Sequence, residues 1–226
     1  MDEKTAREKA EALPSLLLPW YDKNKRDLPW RENTDPYRVW VSEIMLQQTR
    51  VEAAIPYYER FLESFPTLQA LADAPEERLL KLWEGLGYYS RARNLQKAAR
   101  QALERYGALP GTASELASLA GIGPYTAGAV ASIAFGEAVP AVDGNVLRVL
   151  ARFTDDSRDT ASPAARREAE RALAPVIPRD AAGRFNQALM ELGAVVCLPN
   201  GAPRCGDCPL TALCLGRARG TAELLP

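Results

Sequence analysis

Apolar residues return along this chain at helical intervals. Trp40, Ile44, Val51 and Ile55 follow one another at four, seven and four residues, Phe61 extends the stripe, and Leu79, Leu82 and Leu86 continue it. The segment Ser90–Tyr106, SRARNLQKAARQALERY, is amphipathic and stops at Gly107, a residue suited to the left-handed cap that ends many helices. The same pattern predicts helices over 113–120, 124–135, 145–153, 162–176 and 181–195. Pro124, and Pro163 behind Ser162, stand where a first helical turn tolerates proline. No stretch shows the apolar–polar alternation of a half-buried strand, and no hairpin signal, repeat or low-complexity tract breaks the pattern. The chain is predicted to be all-α.

A long helical middle, 30–135, is followed by a second block that runs to the cysteines, and the polar string TDDSRDTAS at 154–162 reads as a loop. No flexible linker parts the blocks, so two lobes sharing a cleft are expected. With 226 residues, 47% of them hydrophobic, a sizeable core can be buried. The opening MDEKTAREKAEA is charged with no early apolar run, and no apolar stretch approaches the length of a membrane span. A soluble, cytoplasmic chain with no membrane partner is therefore expected. A net charge of −1 argues weakly against nucleic acid, but it says nothing about a local basic face.

All four cysteines fall within 197–214, as Cys197-x7-Cys205-x2-Cys208-x5-Cys214. Thiols packed so closely read as a ligand set, because thiolates hold soft or borderline metals. Two disulfides would suit scattered pairs better, and a chain of this length needs no staples. Histidine is absent, so the centre is all-sulfur, either iron–sulfur or zinc. Zinc sites usually come as two short knuckles across a longer spacer. Gaps of seven, two and five favour a [4Fe–4S] cluster. Clustered free thiols also point to a reducing compartment.

The string LAGIGPYTA at 119–127 reads as helix end, tight turn and helix start. Gly121 and Gly123 permit positive φ and leave room for another backbone to approach. The helix that opens at Pro124 presents unpaired N–H groups and a positive dipole end to a phosphate. A bland helix–turn–helix connection fits Gly-x-Gly alone equally well. The whole string is more specific, and it resembles the helix–hairpin–helix of DNA repair glycosylases.

Further stretches extend that resemblance: LPWR at 28–31, DPYRVWVSEIMLQQT at 35–49, WEGLGYYSRARNL at 83–95, VDGNV at 142–146, FNQALMELGAVVC at 185–197, and the cysteines. Together they make the chain resemble adenine DNA glycosylases of the MutY type, within the endonuclease III superfamily, over nearly its whole length. The resemblance implies a two-lobed fold, with 30–137 as a six-helix lobe holding the hairpin and 1–29 plus 138–226 as a helical iron–sulfur lobe. It also implies a bacterial, nucleoid-associated monomer acting on double-stranded DNA with an A·8-oxoguanine or A·G mispair. Two departures stand out. The first cysteine gap has seven residues where the family usually has six, and the chain stops at Leu225-Pro226, where the family's lesion-reading domain would begin. A catalytic core that discriminates poorly between 8-oxoguanine and guanine is expected.

Two carboxylates stand out for their surroundings. Glu43 lies a helical turn from Trp40 and from Gln47, so it shares their face with Ile44 alongside. A carboxyl desolvated there would favour its protonated form and suit a general acid. Asp143 precedes Gly144 and Asn145 at the head of a helix. Spacing alone reads Glu43 as a solvated edge residue and Asp143 as an ordinary N-cap. The resemblance implies more. Glu43 protonates adenine N7, Asp143 stabilises or captures the cationic sugar, and Tyr125 and Asn145 support both. Tyr125 stands where bifunctional relatives have a lysine, so a monofunctional enzyme is implied.

For the flipped base, the resemblance implies Trp30, Arg31 and Gln187 as the pocket, with Gln187 able to pair with adenine's donor and acceptor. Gln48 and Tyr88 resemble residues that wedge into the duplex. Arg91, Arg93, Arg204, Arg217 and Arg219 are candidate phosphate contacts on type alone, and charge runs more often form a solvated face. Three other readings stay open: a thymine glycosylase acting on T·G, a DNA-binding module without catalysis, and a zinc-stabilised interaction protein.

Overall fold

The structure, a computed structural model, describes residues 9–199 and 201–226; the charged segment 1–8 and Asn200, inside the long cysteine gap, fall outside that description. Among the described residues the regular elements are all helical, as the apolar pattern predicts. In chain order they begin with α1 (Leu13–Asn24), a 3-10 turn at Pro29–Arg31, α2 (Pro36–Met45), α3 (Val51–Ser64), α4 (Leu68–Asp73) and α5 (Glu76–Trp83). They continue with α6 (Ser90–Tyr106), α7 (Ala113–Leu116), α8 (Pro124–Phe135), α9 (Gly144–Thr154), α10 (Pro163–Leu173), α11 (Ala182–Val195) and α12 (Leu215–Ala218). None is long and apolar enough to cross a membrane. The chain divides into two compact units: Asp27–Glu137, and the segment up to Arg26 together with Ala138–Pro226.

Local signals account for most boundaries. Asp35 caps α2 by accepting the Arg38 N–H at 2.9 Å, with Pro36 in the first turn. Thr67, Thr112, Asp143 and Ser162 cap α4, α7, α9 and α10 in the same way. Gly107 and Gly136 end α6 and α8 in the left-handed conformation. Three boundaries differ from expectation. The stripe from Trp40 to Phe61 is broken by a turn between Met45 and Val51. The helix expected over 113–120 stops at Leu116, and Ser118 and Leu119 close a tighter turn onto the carbonyls of Glu115 and Leu116. The one expected over 162–176 ends at Leu173 and becomes a 3-10 turn, because Pro175 has no N–H for the ladder.

In the unit Asp27–Glu137, α8 is buried without a break from Thr126 to Ser132, so it is apolar all round and the unit packs about it. Helix α2 lies against it, burying Val39 to Met45. Phe61 meets Phe65 and Trp83 edge-on at 5.2 and 6.0 Å, favoured aromatic geometries. Helix α6 buries Ala92, Ala98, Ala99 and Ala102, and these small side chains let α4 approach closely.

In the other unit, α11 packs against α1 and α9. Leu13, Leu17 and Tyr21 form a stripe at intervals of four that meets Phe185, Leu189 and Leu192 of α11. The pattern reading missed α1, whose stripe is interrupted by Pro14 and Pro19; packing of that face holds it helical. Glu191, 1% exposed, accepts from the Arg26 guanidinium through both oxygens at 2.9 Å, a bidentate pair that closes the end of α1 onto α11.

Candidate active site and metal centre

Glu43 sits near the C-terminal end of α2, 8% exposed, between buried Ser42 and Ile44. The packing of α2 on α8 brings up Tyr125 from the first turn of α8, and its hydroxyl donates to Glu43 Oε2 at 2.7 Å. The result is a carboxyl drawn out of water with a phenol fixing one oxygen. Gln47 departs from the expected shared face, because α2 ends before it. Its amide instead donates to Thr126 Oγ1 at 3.4 Å.

Asp143 is the N-cap of α9, as spacing alone suggests, and more than that. Its Oδ1 accepts the Val146 N–H at 2.8 Å and its Oδ2 the Asn145 amide at 2.8 Å. Asn145 is held in turn by Arg148, which donates to Asn145 Oδ1 at 2.7 Å, the Gly193 carbonyl at 2.8 Å and the Cys197 carbonyl at 2.9 Å. Burial pushes the Asp143 carboxyl above the usual aspartate range, while Val146, Asn145 and the Arg148 charge pull it back. Buried Asn186 pins the approach, accepting from the Ala141 N–H at 3.1 Å and donating to the Val139 carbonyl at 2.9 Å. Gly193 is needed for space, since a Cβ there would come within 2.6 Å of Asn145 Cβ.

In the unit Asp27–Glu137, Trp30 is 8% exposed and meets Tyr58 edge-on at 5.4 Å, and half-buried Arg31 follows it in the same 3-10 turn. Gln187 belongs to the other unit, where it accepts from the Tyr21 hydroxyl at 3.0 Å and donates to the Gly183 carbonyl at 3.3 Å. These two bonds use one lone pair and one N–H of the amide.

Gln48 and Tyr88 are both exposed, Tyr88 by 64%, and both have positive φ, 58° and 46°. Left-handed backbone costs a non-glycine residue about 1–3 kcal/mol, and such strain gathers at functional positions. Of the hairpin glycines, Gly121 is left-handed at φ 73°, and a Cβ on it would strike Asn94. Gly123 departs from expectation. Its φ of −85° is ordinary, it is the N-cap of α8, and a Cβ there would meet open space. Gly123 gives the first turn of α8 no side-chain cap, and Pro124 stands at its first position.

All four cysteines are free and line one cavity with Arg152 and Arg217, about 310 Å³ of space free of atoms and partly open to solvent. Among the described residues no three ligating side chains converge tightly enough for a single ion. Four thiols lining one cavity fit an all-sulfur metal group, which is the chemistry an iron–sulfur cluster needs. Burial, and then the neighbouring thiols, push Cys205 up, and burial carries Cys208 to about 12, so a cationic group is needed to hold these two as thiolates. Arg152 lies 3.6 Å from Cys197 Sγ and donates to the Leu198 carbonyl at 2.7 Å.

The sequence reading gives the five candidate arginines no site role, and the structure shows partners for four of them. Arg91 turns its guanidinium onto backbone carbonyls, Arg93 pairs with Glu76, Arg217 donates to Thr211 and Arg219 pairs with Asp155. Arg148 and Gly193, which the sequence pattern does not single out, support Asp143 through Asn145. Only the i, i+3 spacing of Asn145 and Arg148 on one helix face could have hinted at the first.

A family model described as HhH-GPD superfamily base excision DNA repair protein matches residues 41–175. Over 228 residues the chain is 47% identical to the adenine DNA glycosylase of Homo sapiens, an alignment that covers 95% of this chain and 41% of that protein. The chain thus spans less than half the length of that relative. Among solved structures it is similar to a thermostable thymine-DNA glycosylase, with a TM-score of 0.82, 27% identity, and 94% and 98% of the two chains covered. Its fold is also that of endonuclease III in a non-covalent complex with DNA, with a TM-score of 0.75, 24% identity, and 93% and 97% covered.

Proposed function

Because the chain belongs to the HhH-GPD superfamily of base excision DNA repair proteins, we propose that it excises adenine mispaired with 8-oxoguanine or guanine from double-stranded DNA. The observation that carries this reading is the buried Glu43 carboxyl fixed by the Tyr125 hydroxyl at 2.7 Å. A base inside a duplex is out of reach, so the target adenine is first flipped out. Glu43 delivers a proton to N7, and the C1′–N9 bond breaks as the neutral base leaves. The Asp143 carboxylate offsets the positive charge left on the sugar. Glu43, now ionised, takes a proton from water, and the hydroxide adds to C1′.

Tyr125 makes the reaction stop there. Strand cleavage needs an amine to form a Schiff base with the sugar, and a phenol forms none. The product is an intact strand with an abasic site. Gln187 suits adenine because its remaining N–H and lone pair match the base's acceptor and donor. Cys197, Cys205, Cys208 and Cys214 hold a [4Fe–4S] cluster, which when bound supplies a thiolate-anchored crosslink of the C-terminal loop with no open iron for substrate. Gly121, Gly123 and the uncapped start of α8 receive a DNA phosphate.

The likeness to a thymine-DNA glycosylase gives a second reading, thymine release from T·G. Single-turnover base release from A·8-oxoguanine, A·G, T·G and A·T duplexes decides between them. Adenine should leave the first two, with strand breaks appearing only after alkali. Thymine release without adenine release would transfer the assignment to the second reading.

A further inference from the structure

One guanidinium joins the two turns that carry the strained side chains. Arg91, the second residue of α6, sends Nη1 to the carbonyls of Ile44 at 3.1 Å, Met45 at 3.3 Å and Gln47. Its Nη2 reaches the carbonyls of Leu86 at 2.8 Å and Gly87 at 3.4 Å. The first two belong to the last turn of α2, where helix carbonyls gather negative charge, and the third to the turn that follows it. The other two belong to the glycine-rich turn before α6. That turn is pinned elsewhere as well. The Trp83 indole N–H donates to Gly87 at 3.1 Å, and Gly85, at φ 102°, sits where a Cβ would overlap the Tyr57 hydroxyl.

Gln48 stands on the first of these turns and Tyr88 on the second. Both are exposed residues in left-handed backbone, a conformation a free turn would relax. The Arg91 guanidinium carbon lies 5.7 Å from the Tyr88 ring centre and 5.5 Å from that of Trp83, so the same group also flanks the exposed aromatic. A planar fork with donors on both edges can span two turns; an ammonium is a point charge and cannot.

We propose that Arg91 is a positioning residue that locks the turns at 46–49 and 86–89 together, so that Gln48 and Tyr88 enter the duplex as a pre-set pair. This rests on the reading of those two residues as the duplex wedge. It gives the arginine a role inside the protein, where its sequence neighbourhood suggests a phosphate contact.

The test uses Arg91→Met, which keeps the apolar stem, and Arg91→Lys, which keeps stem and charge. Amide hydrogen exchange without DNA should rise at least about tenfold at 46–49 and 86–89 in both variants, leaving the interior of α8 unchanged. Single-turnover base release from an A·G duplex should fall roughly tenfold to a hundredfold. In a Gln48→Ala/Tyr88→Ala background, adding Arg91→Met should change that rate by less than about twofold, because the residue acts through the pair. Unchanged exchange, exchange raised throughout the unit, full rescue by lysine, or losses that multiply would each overturn the proposal. Should Gln48→Ala/Tyr88→Ala release adenine at the normal rate, the wedge reading fails and takes the duplex half of the proposal with it. The exchange result, obtained without DNA, still decides whether Arg91 locks the turns.

Discussion

Glu43 lies within a helix with a phenol hydroxyl on one oxygen, whereas Asp143 heads a helix and accepts from a backbone N–H and an amide that an arginine holds. Both carboxyls are drawn out of water, so burial alone does not separate them. Their donors do. Around Glu43 stand buried residues of α2 and the Tyr125 hydroxyl of α8, and the reaction proposed above asks this carboxyl to deliver a proton. Around Asp143 the donors and the Arg148 charge all favour the ionised form, working against the desolvation that raises its pKa. The proposed reaction uses two groups of one chemical type as an acid and an ion, the division that cleavage of a glycosidic bond requires.

The sharpest way to break this comparison is to remove the proton. Glu43→Gln keeps shape and can still meet the Tyr125 hydroxyl, so duplex binding should stay within about twofold while single-turnover base release falls at least about a thousandfold. Asp143→Asn removes the charge facing the sugar and should cost about a hundredfold to a thousandfold. If the aspartate were only a helix cap, asparagine would cap nearly as well and the rate would hardly change.

Asn145→Ala sharpens the contrast through pH. Base release needs Asp143 ionised, so the rate is lost as pH falls through its folded-state pKa, which burial has already raised. Taking away the Asn145 donor raises it further, and the acid limb of the rate profile should move to higher pH, with about a tenfold loss on that limb. The same raised pKa makes the Asp143 contribution to stability greatest below its unfolded pKa and lost as pH rises through the folded one. The smallest expected effect is that of Gly193→Ala. Alanine favours a helix, but its Cβ would press on Asn145, and a net loss of about 1–2 kcal/mol should appear as a lowered melting temperature.

The two sites were unequally legible in the sequence. The head of α9 carries an Asp–Gly–Asn signal, and Ser162 and Gly107 mark their helix ends where expected, because caps and left-handed turns are local chemistry. The turn between Met45 and Val51 was hidden because a spacing of seven fits two short helices as well as one long one. Helix α1 was hidden by its prolines, since tertiary burial of Leu13, Leu17 and Tyr21 decides its conformation. Arg91 and Arg148 were the least legible. Their carbonyl partners include Ile44 and Cys197, more than forty residues away, and a basic residue on a helix reads as a solvated one until the fold supplies those partners. The clustered cysteines, by contrast, announced a ligand set, and the structure gathers them around one cavity.

The division of labour between the carboxylates rests on Glu43 passing its proton to N7 of the target base. The direct test is single-turnover base release from matched duplexes carrying adenine or 7-deazaadenine opposite guanine, where the second base has a C–H in place of N7. The account predicts tight binding of both and release of adenine alone, with the deaza base retained as firmly as adenine is by Glu43→Gln. Release of 7-deazaadenine within about tenfold of adenine would contradict it, because the proton would then be going somewhere other than N7.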